Sequence, residues 1–376
     1  MPQLRHLAVL ALPLLGCQEP REENPFDGSG ASASSGPQSS GEAATAASAT
    51  ASSTSGGLTS GSPESSGDSG DEIKLDVGAG SDVFVPGCLP GDADCGCSAV
   101  DILFVIDNSG SMGDYQEALG LAFPAFASTL SKILPPGTNV HVGVTSTEME
   151  YSSQGNSTST NGVCTFVGDG DQSNEAFYVP PDVLNTGRNG AQGRLYDPGG
   201  GQPYFSFDSD GDISGAQAWF ASAANIGEGG SNIEMLTAPV GWAFDPVNGA
   251  TNEGFLRDEG AVLVLFFMQD EADQSPQMID GTPTGSWALT RVAEAKAGCG
   301  GLSCVVAGGL LEEAACMGDR PISEFLAGFD APALGQLPGP FGGGTPQELA
   351  DEMNELLSNS LADLIGQTCE EITPEG

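Results

Sequence analysis

The spacing of apolar residues changes several times along this chain, and each change predicts an element. From Ile102 to Ile106 they are contiguous, the mark of a strand buried on both faces. Leu119, Ala122, Phe123, Phe126, Leu130, Ile133 and Leu134 then recur at helical spacing, with Pro124 expected to kink or restart the helix. Asn139–Thr145, NVHVGVT, alternates and predicts a second strand, which makes His141 a strand residue pointing to one face and not a ligand. Ser214–Ala224 predicts a helix capped by Ser214, Ala261–Met268 a central parallel strand, Ser286–Ala297 a helix ended by Gly298, and Leu302–Ala307 a further strand. Thr345, Pro346 and Glu348 form a helix start with its capping-box partner, and one apolar stripe follows through Met353, Leu356, Leu357, Leu361, Leu364 and Ile365. Helix and strand alternate, the pattern of an α/β domain over about residues 98–370.

Two stretches break that pattern. Residues 17–70, and above all Asp27 to Gly70, are dominated by Ser, Gly, Ala and Thr and predict a flexible tether. A coil of roughly 50 such residues spans about 35 to 40 Å. Its GDSG at Gly67–Gly70 mimics a serine-protease nucleophile motif through composition alone, because His141 is the one histidine beyond the leader. Residues 146–213 carry many Gly, Ser, Asn and Asp and predict an irregular insertion, with an edge strand near Val163–Val167. At its tail Asp208, Asp210 and Asp212 alternate as in calcium loops. Ile213 and Trp219 stand where such a loop needs Gly and Glu, so a solvated acidic turn is expected.

Charge and cysteines narrow the setting. The 376 residues hold 51 Asp and Glu against 10 Lys and Arg, a net charge of −41, which disfavours nucleic acid and anionic lipid headgroups as partners and suits cations. Arg5 and His6 precede an apolar run, Leu7–Gly16, that is too short for the roughly 20 residues needed to span a bilayer. The run ends Leu14, Leu15, Gly16, Cys17, which resembles a bacterial lipobox. That resemblance implies a signal peptide over residues 1–16, acylation of Cys17, and a cell-envelope protein that meets the membrane through its lipid anchor alone. Gln18 in place of Asp implies onward sorting to an outer membrane. Of the 9 cysteines, the rest form an even set: Cys88, Cys95, Cys97, Cys164, Cys299, Cys304, Cys316 and Cys369. An even set in an exported chain argues for disulfides. Cys88, Cys95 and Cys97 crowd the approach segment 71–97 but lack the second Cys or His pair of a zinc site. Cys299 is near enough to Cys304 to pair, and Cys316 with Cys369 is a further candidate pair.

Candidate chemistry lies at the end of the first strand. Asp107, Ser109 and Ser111 alternate along a turn loosened by Gly110, so one carboxylate and two hydroxyls converge on a point. Such an oxygen-only site suits a hard cation such as magnesium, which takes octahedral oxygen ligands at roughly 2.0 to 2.1 Å. An aspartyl phosphotransferase would need a second carboxylate where Ser109 stands. The pattern Asp-x-Ser-x-Ser after a buried strand resembles the metal-ion-dependent adhesion site (MIDAS) of von Willebrand factor type A domains. Gly229, Gly230 and Ser231 resemble the second metal loop of that family, and Asp270 the third. Here the family's Thr-Asp-Gly is replaced by a stretch that adds Glu271 and Asp273 as candidate carboxylates.

The resemblance implies a doubly wound, mostly parallel six-stranded sheet with one antiparallel edge strand and helices on both faces. It implies Ser109, Ser111 and Ser231 as direct ligands, Asp107 and Asp270 acting through water, and a partner's carboxylate completing the octahedron. The metal expected is Mg2+, with Mn2+ or Ca2+ as alternatives. The expected function is binding, not catalysis: an envelope lipoprotein that captures a protein or other acidic ligand through a divalent metal. Two alternatives stay open, a structural envelope protein with a vestigial site, and a hydrolase using the metal as Lewis acid with Glu271 or Asp273 as base.

Overall fold

The computed structural model describes residues 96–149, 178–182, 188–230, 233–311, 320–337 and 345–372. The chain divides into two units, Met1–Gly78 and Ala79–Gly376, and every described residue lies in the second. The leader, the tether, Cys17, Cys88, Cys95, Cys164, Cys316, Ser231 and the strand expected near Val163–Val167 lie outside the described residues.

The first strand, β1 (Ala99–Ile106), is buried along its whole length: parallel strands β2 (Asn139–Ser146) and β4 (Ala261–Met268) pair with its two edges in unbroken register, and helices cover both of its faces. Beyond β2 lies β3 (Tyr204–Asp208), antiparallel; beyond β4 lie β7 (Val305–Leu311) and β8 (Ala333–Gln336), both parallel. The sheet is six-stranded in the order β3-β2-β1-β4-β7-β8, with a separate short hairpin of β5 (Met278–Ile279) and β6 (Thr282–Pro283). This is the architecture expected.

Side-chain alternation along β1 divides the core. Val100, Ile102, Phe104 and Ile106 face α1 (Gly113–Ile133), α2 (Ser214–Ala224) and the C-terminal helices; Leu103 and Val105 face α3 (Thr237–Ala243), α4 (Thr284–Ala295) and α5 (Pro321–Leu326). On the first face Phe123 of α1 stacks on Phe220 of α2 at 4.0 Å, and both rings lie near Phe104. Each such ring contributes about 1.5 to 3 kcal/mol by leaving water. The C-terminal stripe forms as α6 (Pro346–Glu355), a π-helical turn (Leu356–Leu361) and α7 (Ala362–Glu371), which start at a complete Thr345/Glu348 capping box. Met353, Leu357, Leu361 and Ile365 are buried on that first face.

Several local expectations shift. α1 runs through Pro124 without restarting, held on both sides of it by Ala122, Phe123, Phe126 and Ala127 in the core. The antiparallel edge strand is Tyr204–Asp208, inside the stretch read as insertion, so the acidic turn begins only after Asp208. Ser214 does not cap α2; it is the first helical residue, and its N–H and hydroxyl both donate to the Asp212 carboxylate at 2.9 Å. β7 starts three residues late because Gly301–Cys304 form a 3-10 turn closed by the Cys299–Cys304 disulfide. The candidate pair Cys316–Cys369 is overturned: Cys369 is bonded to Cys97.

Candidate metal centre at the carboxyl ends of β1 and β4

Parallel pairing delivers the site. With β1 and β4 in register to Ile106 and Met268, the chain leaves both strands at the same level, and the Asp107 N–H donates to the Met268 carbonyl at 2.9 Å. Asp107 and Asp270 emerge side by side from strands that share a backbone ladder. The turn after β1 folds back on the aspartate: the Ser109 N–H donates to Asp107 Oδ1 at 2.7 Å. The Ser109 and Ser111 hydroxyls lie 3.2 Å apart, and the Ser111 hydroxyl donates to Asp270 Oδ1 at 3.2 Å. Four of the five expected ligands, Asp107, Ser109, Ser111 and Asp270, thus form one continuous group; the fifth, Ser231, is not described.

What the group leaves unmet is equally informative. Asp107 Oδ2 and Asp270 Oδ2 are buried and accept no hydrogen bond. Burial, then the charge of Asp270, pushes the Asp107 carboxyl well above the usual carboxylate range. Burial also raises Asp270, to about 6, against the opposing pull of the Ser111 hydroxyl and with a further push from Glu271. Buried Glu234 is raised by desolvation and by the charges of Asp107 and Glu271, and its Oε2 is unpartnered. A buried anionic oxygen without a donor is costly. The nearby guanidinium of Arg188 is engaged elsewhere, with the Glu148 carboxylate at 3.0 Å and the Gly229 carbonyl at 3.2 Å. Among the described residues no group of three or more His, Cys, Asp or Glu side chains is gathered for a metal. The donor set is instead two aspartates joined by serine hydroxyls, which fits a hard divalent cation and fits no soft one.

Three features were not read from the sequence. Gln116 on α1 ties the first loop to the second: its Nε2 donates to the carbonyls of Asp107 (2.8 Å) and Gly227 (2.9 Å), while its Oε1 accepts from the Gly227 N–H at 3.0 Å. A buried polar position within an otherwise apolar helix face was the available signal. Gly230 donates its N–H to the Asn108 carbonyl at 2.9 Å, and a Cβ there would lie 2.4 Å from Asn108 Oδ1. Any other residue there would have to displace the Asn108 side chain, and the bond brings the residue before Ser231 onto the Asp107 turn. Third, a charged network sits at the opposite end of β1. Arg257 donates from Nε to buried Asp101 at 2.8 Å, and His141 Nδ1 lies 3.5 Å from that aspartate and 2.7 Å from the Phe255 carbonyl. Six residues of strand, roughly 20 Å, separate that histidine from the serines.

The two extra carboxylates part company. Glu271 faces Glu234, to which it is hydrogen bonded. Asp273 is committed to the start of α3: Oδ1 accepts from the Leu236 N–H at 2.8 Å and from both the N–H and the hydroxyl of Ser275 (3.0 and 2.7 Å), and Oδ2 accepts the Thr237 hydroxyl. The helix α3 opens at Thr237, capped by this distant side chain.

No protein-family model matches the sequence, and no curated protein matches it. Solved structures do. A von Willebrand factor type A protein from Catenulispora acidiphila is 16% identical with a TM-score of 0.32, over 70% of this chain and 43% of that one. The pilus adhesin SpaC from Lactobacillus rhamnosus GG is 12% identical with a TM-score of 0.34, over 70% and 31%. Proximal thread matrix protein 1 from the mussel byssus is 11% identical with a TM-score of 0.32, over 70% and 49%. The chain spans less than half the length of each of these proteins.

Proposed function

We propose that this chain is a binding module that captures a partner through a divalent metal held by Asp107, Ser109, Ser111, Asp270 and Ser231, and that lipidation at Cys17 displays it on a bacterial cell envelope. The observation that carries the reading is the pair of buried, unpartnered oxygens, Asp107 Oδ2 and Asp270 Oδ2, on two carboxylates whose Oδ1 atoms are linked through Ser109 and Ser111. Mg2+ suits the all-oxygen set, with Mn2+ or Ca2+ as alternatives, and it would offer a Lewis-acidic position to an oxygen ligand of the partner. The hydroxyls of Ser109 and Ser111 bond to each other and to a carboxylate, an arrangement for holding a cation more than for activating a nucleophile. Glu271, the remaining candidate base for a hydrolase, is hydrogen bonded to Glu234.

Calorimetric titration of the full chain with Mg2+ and Mn2+ tests the centre. Wild type should bind one ion, and Asp107→Ala should bind none while keeping its circular dichroism spectrum, because the apolar strands below hold the sheet. Undiminished affinity in a folded Asp107→Ala protein refutes the site. For the anchor, Cys17→Ser should move the protein from membranes to the soluble fraction; sedimentation with membranes at high salt would refute lipidation.

A further inference from the structure

Beside Ser111 the surface opens into a depression of about 470 Å³ between the first turns of α1 and the loop after α2. Its charged lining is of one sign: Asp114 and Glu117 from α1 and Glu228 from the loop, with Asn225 the remaining long polar side chain. All three carboxylates are exposed, and no ion pair with them occurs among the described residues. Gly113 makes room for one of them, since a Cβ there would lie 2.7 Å from Glu228 Oε1. The depression shares Ser111 with the buried centre, where Asp107 Oδ2 and Asp270 Oδ2 stand unpartnered.

We infer that the partner is not simply acidic: beside the oxygen group it offers the metal, it carries a Lys or Arg side chain that enters this depression. The inference rests on the proposed metal reading and specifies its ligand. A divalent cation carries two positive charges, which Asp107 and Asp270 already match. A carboxylate arriving at that metal then meets Asp114, Glu117 and Glu228 on its flank, on a chain of net charge −41. Like charges placed together are a strong selection against a wrong partner. A ligand with an ammonium or guanidinium within one or two residues of its carboxylate, at about 3.3 Å of chain per residue, converts that repulsion into attraction. Because the depression borders Ser111 itself, the two charged groups must be near neighbours on the ligand.

The test uses the full chain with saturating Mg2+ and three fluorescein-labelled hexapeptides, read by anisotropy. One carries an aspartate flanked by two lysines, one the same aspartate with two glutamines, and one the lysines with asparagine in place of the aspartate. The first should bind roughly tenfold tighter than either of the others, and chelation should abolish that advantage. In the variant Asp114→Asn/Glu117→Gln/Glu228→Gln the lysines should confer no gain once Mg2+ is raised to saturation again, since losing three neighbouring negative charges lowers its affinity without removing a ligand. The variant Glu253→Gln/Asp258→Asn/Glu259→Gln, which makes the same charge change before the start of β4, should keep the preference. Equal binding of the first two peptides, equal binding of the first and third, binding of none, or loss of the preference in both variants overturns the inference and leaves the metal centre standing. If the wild-type chain takes up no Mg2+, the metal reading itself fails and this inference falls with it.

Discussion

The Ser111 hydroxyl donates to Asp270 Oδ1 at 3.2 Å across a sequence separation of 159 residues, so the loop after β1 and the loop after β4 are held as one unit. That bond also works against the rise in the Asp270 pKa that burial causes. Ser111→Ala removes a proposed ligand and this restraint together. Mg2+ affinity is expected to fall about tenfold, the scale of one charge-assisted hydrogen bond. The pH midpoint of Mg2+ binding should move upward from the wild-type value, since the aspartate loses its donor. A fall in affinity with an unmoved midpoint would separate Ser111 from Asp270.

Metal-free stability should decrease from acid to neutral pH. Asp107, Asp270 and Glu234 all titrate above their ordinary values in the folded chain, Asp270 at about 6 against 3.8. Between those two pH values the folded chain keeps a proton that the unfolded chain has released, so raising the pH favours unfolding. The penalty is absent below about pH 4 and complete above pH 6, of order 1 to 3 kcal/mol for Asp270. Thermal unfolding in chelator should give a higher Tm at pH 5 than at pH 7.5. Mg2+ should reverse that order, because protons compete with the ion. Asp107→Asn should flatten the chelator profile, whereas surface charge would leave the variant as steep as wild type.

Gln116 is expected to matter more for the site than its helical position suggests. Its amide holds the Asp107 and Gly227 carbonyls and the Gly227 N–H at once. Gln116→Leu keeps the volume and leaves buried carbonyls without a donor, at a cost of about 1 to 3 kcal/mol. Mg2+ affinity should fall with it, because the loop that leads to Ser231 loses its tie to β1. Gln116→Glu should restore the contact to the Gly227 N–H and only part of the affinity. Wild-type metal affinity in a destabilised Gln116→Leu protein would reduce the residue to a packing role.

The strands of the sheet centre were legible because contiguous apolar runs such as Ile102–Ile106 and Ala261–Met268 fit nothing else in a chain of this composition, and Thr345 with Glu348 spelled its own helix start. Tyr204–Asp208 was not legible, since an edge strand half open to water needs no apolar run and this one is embedded among Gly, Ser and Asp. The start of α3 escaped for a different reason: its cap, Asp273, arrives from 36 residues further along the chain, and local spacing carries no sign of it. Of the site, Asp107, Ser109 and Ser111 were readable as a local alternation. Asp270 could be joined to them only by resemblance. The division of labour between Glu271 and Asp273 depends on which backbone N–H groups lie nearby, a property of the folded loops and not of the residue types.

Entry to and exit from the domain are clipped together at the end of the sheet opposite the candidate metal centre. Cys97, just before β1, is bonded to Cys369 near the end of α7, over a sequence separation of 272, and the Gly96 N–H donates to the Ile372 carbonyl at 3.1 Å. A covalent link across so long a stretch restricts the unfolded chain strongly, whereas Cys299–Cys304, with a separation of 5, closes only a short turn. Cys97→Ser/Cys369→Ser should therefore cost about 2 to 5 kcal/mol in denaturant unfolding, and Cys299→Ser/Cys304→Ser clearly less. Mg2+ affinity should survive the first change, since ten residues of chain, roughly 30 Å along β1, separate Cys97 from Asp107. Non-reducing peptide mapping checks the pairing itself. A Cys97 peptide linked to any cysteine other than Cys369, or equal losses in the two double variants, would contradict the account of what holds the ends of this domain.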